Sequence, residues 1–443
     1  LRPSQKTPTA TAMSSMTLYF EEIDPDDDTP VDVPDGDWKP SADSDTNVMD
    51  LGDMTGFVTG ASAAGAADAA AVAAASADAT AGGSQAPGRK KGKKKAKRKA
   101  KQAAKAAAAL AEGEVSADGG AWTCECRVSS ANFPSRGGCT ATMVGSSMFV
   151  VGGADRAGNH MNDVHVLDTT SWEWRQATVA QDAAAAPSPR SGHSTVACGS
   201  HLVLFGGANM SVEACYNDVF LLATDGDELT WSQADPSGPK PTARNSHSAT
   251  MVSPTAMVVF GGASEMGPLN DVHVLDLADL SAPVWQAVQC QGLAPTAREM
   301  HSATLWPTVD AMAAESVAQA PSILVLGGRV ESGEVLADAW SLAPGTWAWT
   351  KSDHALPTPR CAHVATVVNS QVVLFGGIDG AGLPEDLMAL DEEGWGPVEL
   401  VGSTPPPPRF GHAGTAAPGV GMLIFGGISL TDDLLDTWGV AFS

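Results

Sequence analysis

The stretch LVLFGG, Leu202–Gly207, has five near-copies in the chain: MFVVGG (Met148–Gly153), MVVFGG (Met257–Gly262), ILVLGG (Ile323–Gly328), VVLFGG (Val372–Gly377) and MLIFGG (Met422–Gly427). Each is a four-residue apolar run that stops on paired glycines, which reads as a buried strand ending where the backbone turns sharply. The glycine pairs are Gly152/Gly153, Gly206/Gly207, Gly261/Gly262, Gly327/Gly328, Gly376/Gly377 and Gly426/Gly427, at intervals of 54, 55, 66, 49 and 50 residues. A fixed period near 50 with four strand-like segments per unit is the signature of a propeller. An Ala-rich insertion at 307–321, between two strands of the fourth unit, explains the long interval.

Outward from the glycines, every unit has the same grammar. A Pro/Arg turn leads in: PSPRSGHSTV, PTARNSHSAT, PTAREMHSAT, PTPRCAHVAT, PPPRFGHAGT, and a degenerate PSRGGCTAT first. After the glycines a loop of variable length reaches a third strand, opened by Asn162, Asn217 and Asn270 in the early units. A fourth strand carries Trp172 or Trp174, Trp231, Trp285, Trp347 or Trp349, and Trp395. This set closely resembles the kelch family over about 320 residues, which implies an all-β, six-bladed kelch β-propeller at 120–443. Blades are expected at 132–180, 187–237, 240–292, 294–354, 356–402 and 405–443 plus 121–128. The sixth unit ends after its third strand, while AWTCECRV (Ala121–Val128) precedes the first unit as an orphan fourth strand. Trp122–Arg127 is therefore expected beside Asp436–Phe442, closing the ring and leaving no open edge.

The remainder of the chain has a different composition. Residues 1–60 are acidic and read as a disordered tail, 61–87 as an Ala/Gly/Ser low-complexity linker, and 88–114 as a Lys/Ala-rich basic segment compatible with a helix. Charge is segmented: 15 acidic against 3 basic residues over 1–88, 11 basic and no acidic over 89–105, and 33 against 12 over 120–443. The acidic propeller repels phosphate backbones, so nucleic acid has access only through 89–105, which also reads as a nuclear-import signal. Seven scattered cysteines without a Cys-x-x-Cys pair predict free thiols in a reducing compartment. No run of 18 strongly apolar residues and no charged start followed by an apolar core predict neither membrane insertion nor secretion. The expectation is a cytoplasmic or nuclear monomer.

The resemblance implies that the Pro/Arg turns and the post-glycine loops share one face around the central channel. In kelch adaptors that read acidic peptides, arginines at this turn contact the ligand. Here the position holds Arg136, Arg190, Arg244, Arg298, Arg360 and Arg409, and a ring of guanidinium groups suits a carboxylate or phosphate. The same recurrence fits a structural salt bridge to the recurring acids Asp163, Asp218, Asp271, Asp338 and Asp386. Loops that differ between units are the better carriers of specificity: Asp155, Arg156 and His160; Asn209 and Glu213; Glu265; Arg329 and Glu331; and Asp379. His193, His247, His301, His363 and His412 recur once per blade, a spacing that predicts packing and turn hydrogen bonds rather than one shared metal.

No catalytic motif is present: there is no Gly-x-Ser-x-Gly elbow, zinc motif or phosphate loop. Copper radical oxidases share such a propeller but need tyrosine ligands, and this one has a single tyrosine, Tyr216. The expected function is a non-catalytic protein-interaction scaffold or adaptor, without cofactor or metal, binding a protein partner such as an acidic peptide. Two alternatives remain at this point: a ubiquitin-ligase substrate receptor without a recognisable BTB domain or F-box, and a small-molecule-binding or isomerising enzyme at the channel mouth.

Overall fold

The computed structural model describes residues 18–19, 49–50, 121–180, 186–226, 228–306, 321–391 and 393–442. The linker at 61–87, the basic segment at 88–114 and nearly all of the insertion and acidic tail lie outside them. From the tail, Leu18–Tyr19 and Met49–Asp50 form a short parallel pairing.

Residues 122–442 form six four-stranded antiparallel sheets arranged as a β-propeller. The second blade is representative: Ser194–Cys198, His201–Phe205, Val219–Ala223 and Thr230–Ala234 pair in sequence order. In the sixth blade, Ala413–Ala417, Gly421–Phe425 and Thr437–Phe442 are completed by Trp122–Val128. The register runs Trp122↔Phe442, Cys124↔Val440 and Cys126↔Trp438, so the closure expected from the two chain ends is the one observed. Among the described residues, no helix is long and apolar enough to cross a membrane.

The second strands are apolar on both faces because each lies between two blades. Strand side chains alternate sides. Leu202 and Leu204 thus enter the cluster holding Phe149 and Val151 of the first blade, while Val203 and Phe205 join Met257 and Val259 of the third. Six such clusters fill the six inter-blade seams. Outer-strand tryptophans cover them: Trp285 lies 5.0 Å from Phe205, Trp349 5.0 Å from Phe260, and Trp174 5.1 Å from Phe425 across the closing seam. The ambiguity in two blades is resolved by the backbone. Trp172 and Trp347 sit in turns at φ 60° and 53°, leaving Trp174 and Trp349 on the strands.

Trp122 and Cys124 are buried, so the closing strand covers apolar surface as well as pairing its neighbour. Burying two such side chains stabilises by roughly 3 kcal/mol or more. A chain lacking residues 1–128 is expected to melt at least about 5 °C below one lacking only 1–120 in a calorimetric scan. Equal midpoints would show that the strand does not close the ring.

Candidate funnel at the channel mouth

The repeated arginines are internal. All six side chains are 0–1 % exposed. Arg244 shows the pattern: Nε donates to Thr242 O (3.0 Å), Nη1 to Gly261 O (3.0 Å) and Asp271 Oδ1 (2.7 Å), and Nη2 to Asp271 Oδ2 (2.8 Å). Arg136, Arg190, Arg298 and Arg409 make the same set with Asp163, Asp218, Asp338 and Asp436. Arg360 pairs with Asp386 but turns Nη2 to Thr358 Oγ1. The aspartates take further donors: His165 Nε2 at Asp163, His273 Nε2 at Asp271, and the indoles of Trp340 and Trp438 at Asp338 and Asp436. Burial alone would raise the Asp163 and Asp271 carboxyls, but bonds from histidine and arginine outweigh it and hold both well below the usual carboxylate range. Of the two roles open to the arginine ring, peptide contact and structural salt bridge, the geometry is that of the second: each guanidinium is a buried strut bonded to an aspartate and a glycine carbonyl, with only the Arg360 Nε left without a partner among the described residues.

Each strut also ties its blade to the one before. The second glycine of a pair donates to the next blade's arginine carbonyl: Gly153 to Arg190, Gly207 to Arg244, Gly262 to Arg298, Gly328 to Arg360, Gly377 to Arg409, and Gly427 back to Arg136. The approach leaves no room for a side chain. A Cβ on Gly376, at φ 66°, would stand 2.5 Å from Arg409 O and 2.6 Å from His412 Cε1.

Inside this ring runs a second, formed by residues in left-handed conformation. Gly138 N–H donates to Gly411 O (2.8 Å), Gly192 to Gly138 (2.9 Å), Ser246 to Gly192 (2.7 Å), Met300 to Ser246 (3.0 Å), Ala362 to Met300 (2.9 Å) and Gly411 to Ala362 (3.0 Å). The circle is closed. Half its members are not glycine, and Ser246, Met300 and Ala362 hold φ of 53°, 55° and 54°, at a cost of roughly 1 kcal/mol or more each.

The recurrent histidines brace this wall. His247 Nε2 meets Ser194 Oγ at 2.9 Å, His301 meets Ser248 at 2.9 Å, His363 meets Ser302 at 2.8 Å, and His193 meets Thr140 at 3.3 Å, each partner lying in the preceding blade. Burial, reinforced by the neighbouring arginines, lowers His193, His301, His363 and His412 to about 3. His412 breaks the pattern, because Val364 stands where the hydroxyl would be and Nε2 has no side-chain partner.

The ring forms the floor of a funnel of about 840 Å³, walled by the post-glycine loops. Of the loop residues singled out in the sequence, Asp155, Arg156, His160, Glu213, Glu265, Arg329 and Glu331 line it. Asp379 does not; its Oδ1 accepts from Ala381 N and Gly382 N at 2.7 Å and shapes its own loop. Asn209 lies behind the wall, where its side chain bonds Pro189 O and Ser211 N. Both cations are neutralised in place. Arg156 Nε reaches Asp433 Oδ1 at 2.8 Å across the closing seam, and Arg329 Nε reaches Glu299 Oε1 at 3.1 Å. Glu213, Glu265 and Glu331 have no ion-pair partner among the described residues. Met210, Met266 and Met300 supply apolar surface between them, Met266 being 91 % exposed.

Sequence reading missed Glu299, Asp433 and Met300. No repeat signal marks them: Glu299 and Met300 fill turn positions held by Ser191 and Gly192 in the second blade, and Asp433 lies in the weakest third-strand opening.

A family model described as the KLHDC2/KLHL20/DRC7 Kelch-repeats domain matches residues 115–312 and 307–442. The chain is 31% identical over 313 residues to Adagio-like protein 3 of Oryza sativa subsp. japonica, covering 66% of this chain and 46% of that protein. It is 30% identical over 330 residues to serine/threonine-protein phosphatase BSL2 of Arabidopsis thaliana, covering 67% and 30% respectively. Host cell factor of Drosophila melanogaster is 26% identical over 281 residues, covering 55% and 18%. The chain thus spans less than half the length of these relatives. With six repeats, a closed ring and a matching family model, the chain belongs to the kelch-repeat family.

Proposed function

We propose that the chain is a non-catalytic interaction scaffold that binds a protein partner at the funnel. One observation carries this reading. The polar residues shared by all blades are consumed inside the fold, whereas the funnel is lined by loop residues that differ from blade to blade. Variable loops on a rigid frame are the usual carriers of recognition. The serine–histidine contacts beside the funnel superficially match a nucleophile and its base. Burial holds the His301 and His363 imidazoles near 3 and lowers His247 in the same direction, too far for a base at neutral pH, and Ser194 and Ser302 are buried while Ser248 is half-buried. Repetition in consecutive blades marks them as bracing.

Met266→Asp combined with Met210→Asp places charge on the funnel wall, while Leu293→Asp alters a residue 78 % exposed outside it. In quantitative affinity capture, partners held by the full chain are expected to fall at least about tenfold with the double variant and to persist with Leu293→Asp, since contacts at the centre of an interface dominate its energy. Retention of the same partners by the double variant would move the binding surface elsewhere.

A further inference from the structure

We infer that the segment received by the funnel is basic, with lysine or arginine interleaved with apolar side chains, rather than acidic. This rests on the funnel being the binding face and concerns the chemistry of its occupant.

Charge balance is the first argument. The arginines that would receive an acidic ligand are either struts (the repeated six) or paired with Asp433 and Glu299. An acidic peptide would have to displace a carboxylate already bonded to each of these loop arginines. The acids are the groups left over. Glu213, Glu265 and Glu331 come from three consecutive blades and line one arc of the funnel, the Glu331 carboxyl carbon lying 3.7 Å from where a Cβ on Gly267, two residues beyond Glu265, would stand. Like charges gathered at the mouth of a cleft with low-dielectric walls focus a field that draws in a cation.

The second argument is the funnel itself. It is concave, about 840 Å³, and carries methionines whose unbranched, polarisable side chains adapt to varied apolar partners. A purely ionic ligand would leave Met266, 91 % exposed, uncovered. At the floor, His412 is 5 % exposed and its Nε2 lacks the hydroxyl partner that its four counterparts have, which leaves a polar atom of the wall between the fifth and sixth blades open to an incoming donor. An amphipathic cationic segment matches both features. A nucleic acid does not, because its phosphates would face the same carboxylates.

The test is fluorescence anisotropy with the full chain and two labelled twelve-residue peptides, one alternating lysine with leucine and one alternating glutamate with leucine. The lysine peptide is expected to bind, with affinity falling as salt rises, and the glutamate peptide to bind at least tenfold more weakly. The isosteric variant Glu213→Gln/Glu265→Gln/Glu331→Gln removes charge without volume and is expected to weaken the lysine peptide about tenfold and flatten its salt dependence. Equal or tighter binding of the glutamate peptide overturns the inference, as does an unchanged affinity of the triple variant. Failure of the inference and failure of the scaffold reading are separable. If the triple variant changes nothing but Met266→Asp with Met210→Asp abolishes partner capture, the charge assignment falls and the face stands. If neither set of changes has an effect, both fall.

Discussion

Acidification is expected to unfold the propeller between about pH 5.5 and pH 4, before the arginine-paired Asp163 and Asp271 are protonated. Burial keeps the imidazoles of His193, His301, His363 and His412 neutral, with folded values of about 3 against an ordinary value near 6.5. His247 is lowered in the same direction. Because the folded value lies below the unfolded one, this stability is fully present above pH 6.5 and is lost as pH falls toward 3. At pH 5 each such histidine costs about 2 kcal/mol relative to pH 7, so four cost about 8 kcal/mol, comparable to the whole stability of a typical domain. Lowered carboxyls at Asp163, Asp271 and Asp338 act in the same sense at still lower pH. Urea midpoints followed by tryptophan fluorescence should drop steeply between pH 7 and pH 5. His412→Gln, at the position without a hydroxyl partner, should reduce that slope by about one proton. A midpoint constant from pH 7 to pH 4.5 would refute the account.

The histidines illustrate what the sequence makes legible. Their recurrence after the arginine in five of the six blades points to packing and turn hydrogen bonds, and four of them do meet a hydroxyl of the preceding blade. Strand order and closure were equally legible: the apolar run before each Gly-Gly reports a strand buried on both faces, and the two chain ends share one blade. Side-chain direction was not. Arg and Asp recur 26 to 28 residues apart in five blades and 40 apart in the fourth, which carries the insertion, and this is compatible with a guanidinium pointing either to the channel or back into its own blade. Only the backbone path, with Gly261 O and Thr242 O converging on the Arg244 fork, decides it. The left-handed ring was hidden for a related reason. Gly138, Gly192 and Gly411 advertise a positive φ, but Ser246, Met300 and Ala362 are forced into it by the circle of hydrogen bonds that their neighbours complete. The charge of the funnel required pairing information as well, since the sequence marks Arg156 and Arg329 only as variable-loop residues and does not place Asp433 and Glu299 beside them.

Replacing a strut is expected to affect stability, not ligand affinity, and this distinguishes a structural from a ligand-binding role of the arginine ring. Arg409 is the sharpest case because its partner, Asp436, is the least exposed of the six aspartates, with 14% of its side chain accessible. Arg409→Met keeps most of the volume but deletes the donors to Pro407 O, Gly426 O and both Asp436 oxygens. It leaves a largely buried carboxylate with the Trp438 indole as its remaining side-chain donor among the described residues. Breaking a buried pair on one side costs about 3–5 kcal/mol, much of it the penalty of the stranded charge. The second change, Asp436→Asn, removes that charge and should recover part of the loss even though it adds no bond to residue 409. Arg409→Lys retains the charge but not the planar fork that addresses two carboxylate oxygens at once, so it should fall between wild type and Arg409→Met. Urea unfolding of the four proteins orders these outcomes. A loss below about 1 kcal/mol for Arg409→Met, the range of a solvent-exposed pair, would mean that Arg409 does not hold the blade together and is available to a ligand after all.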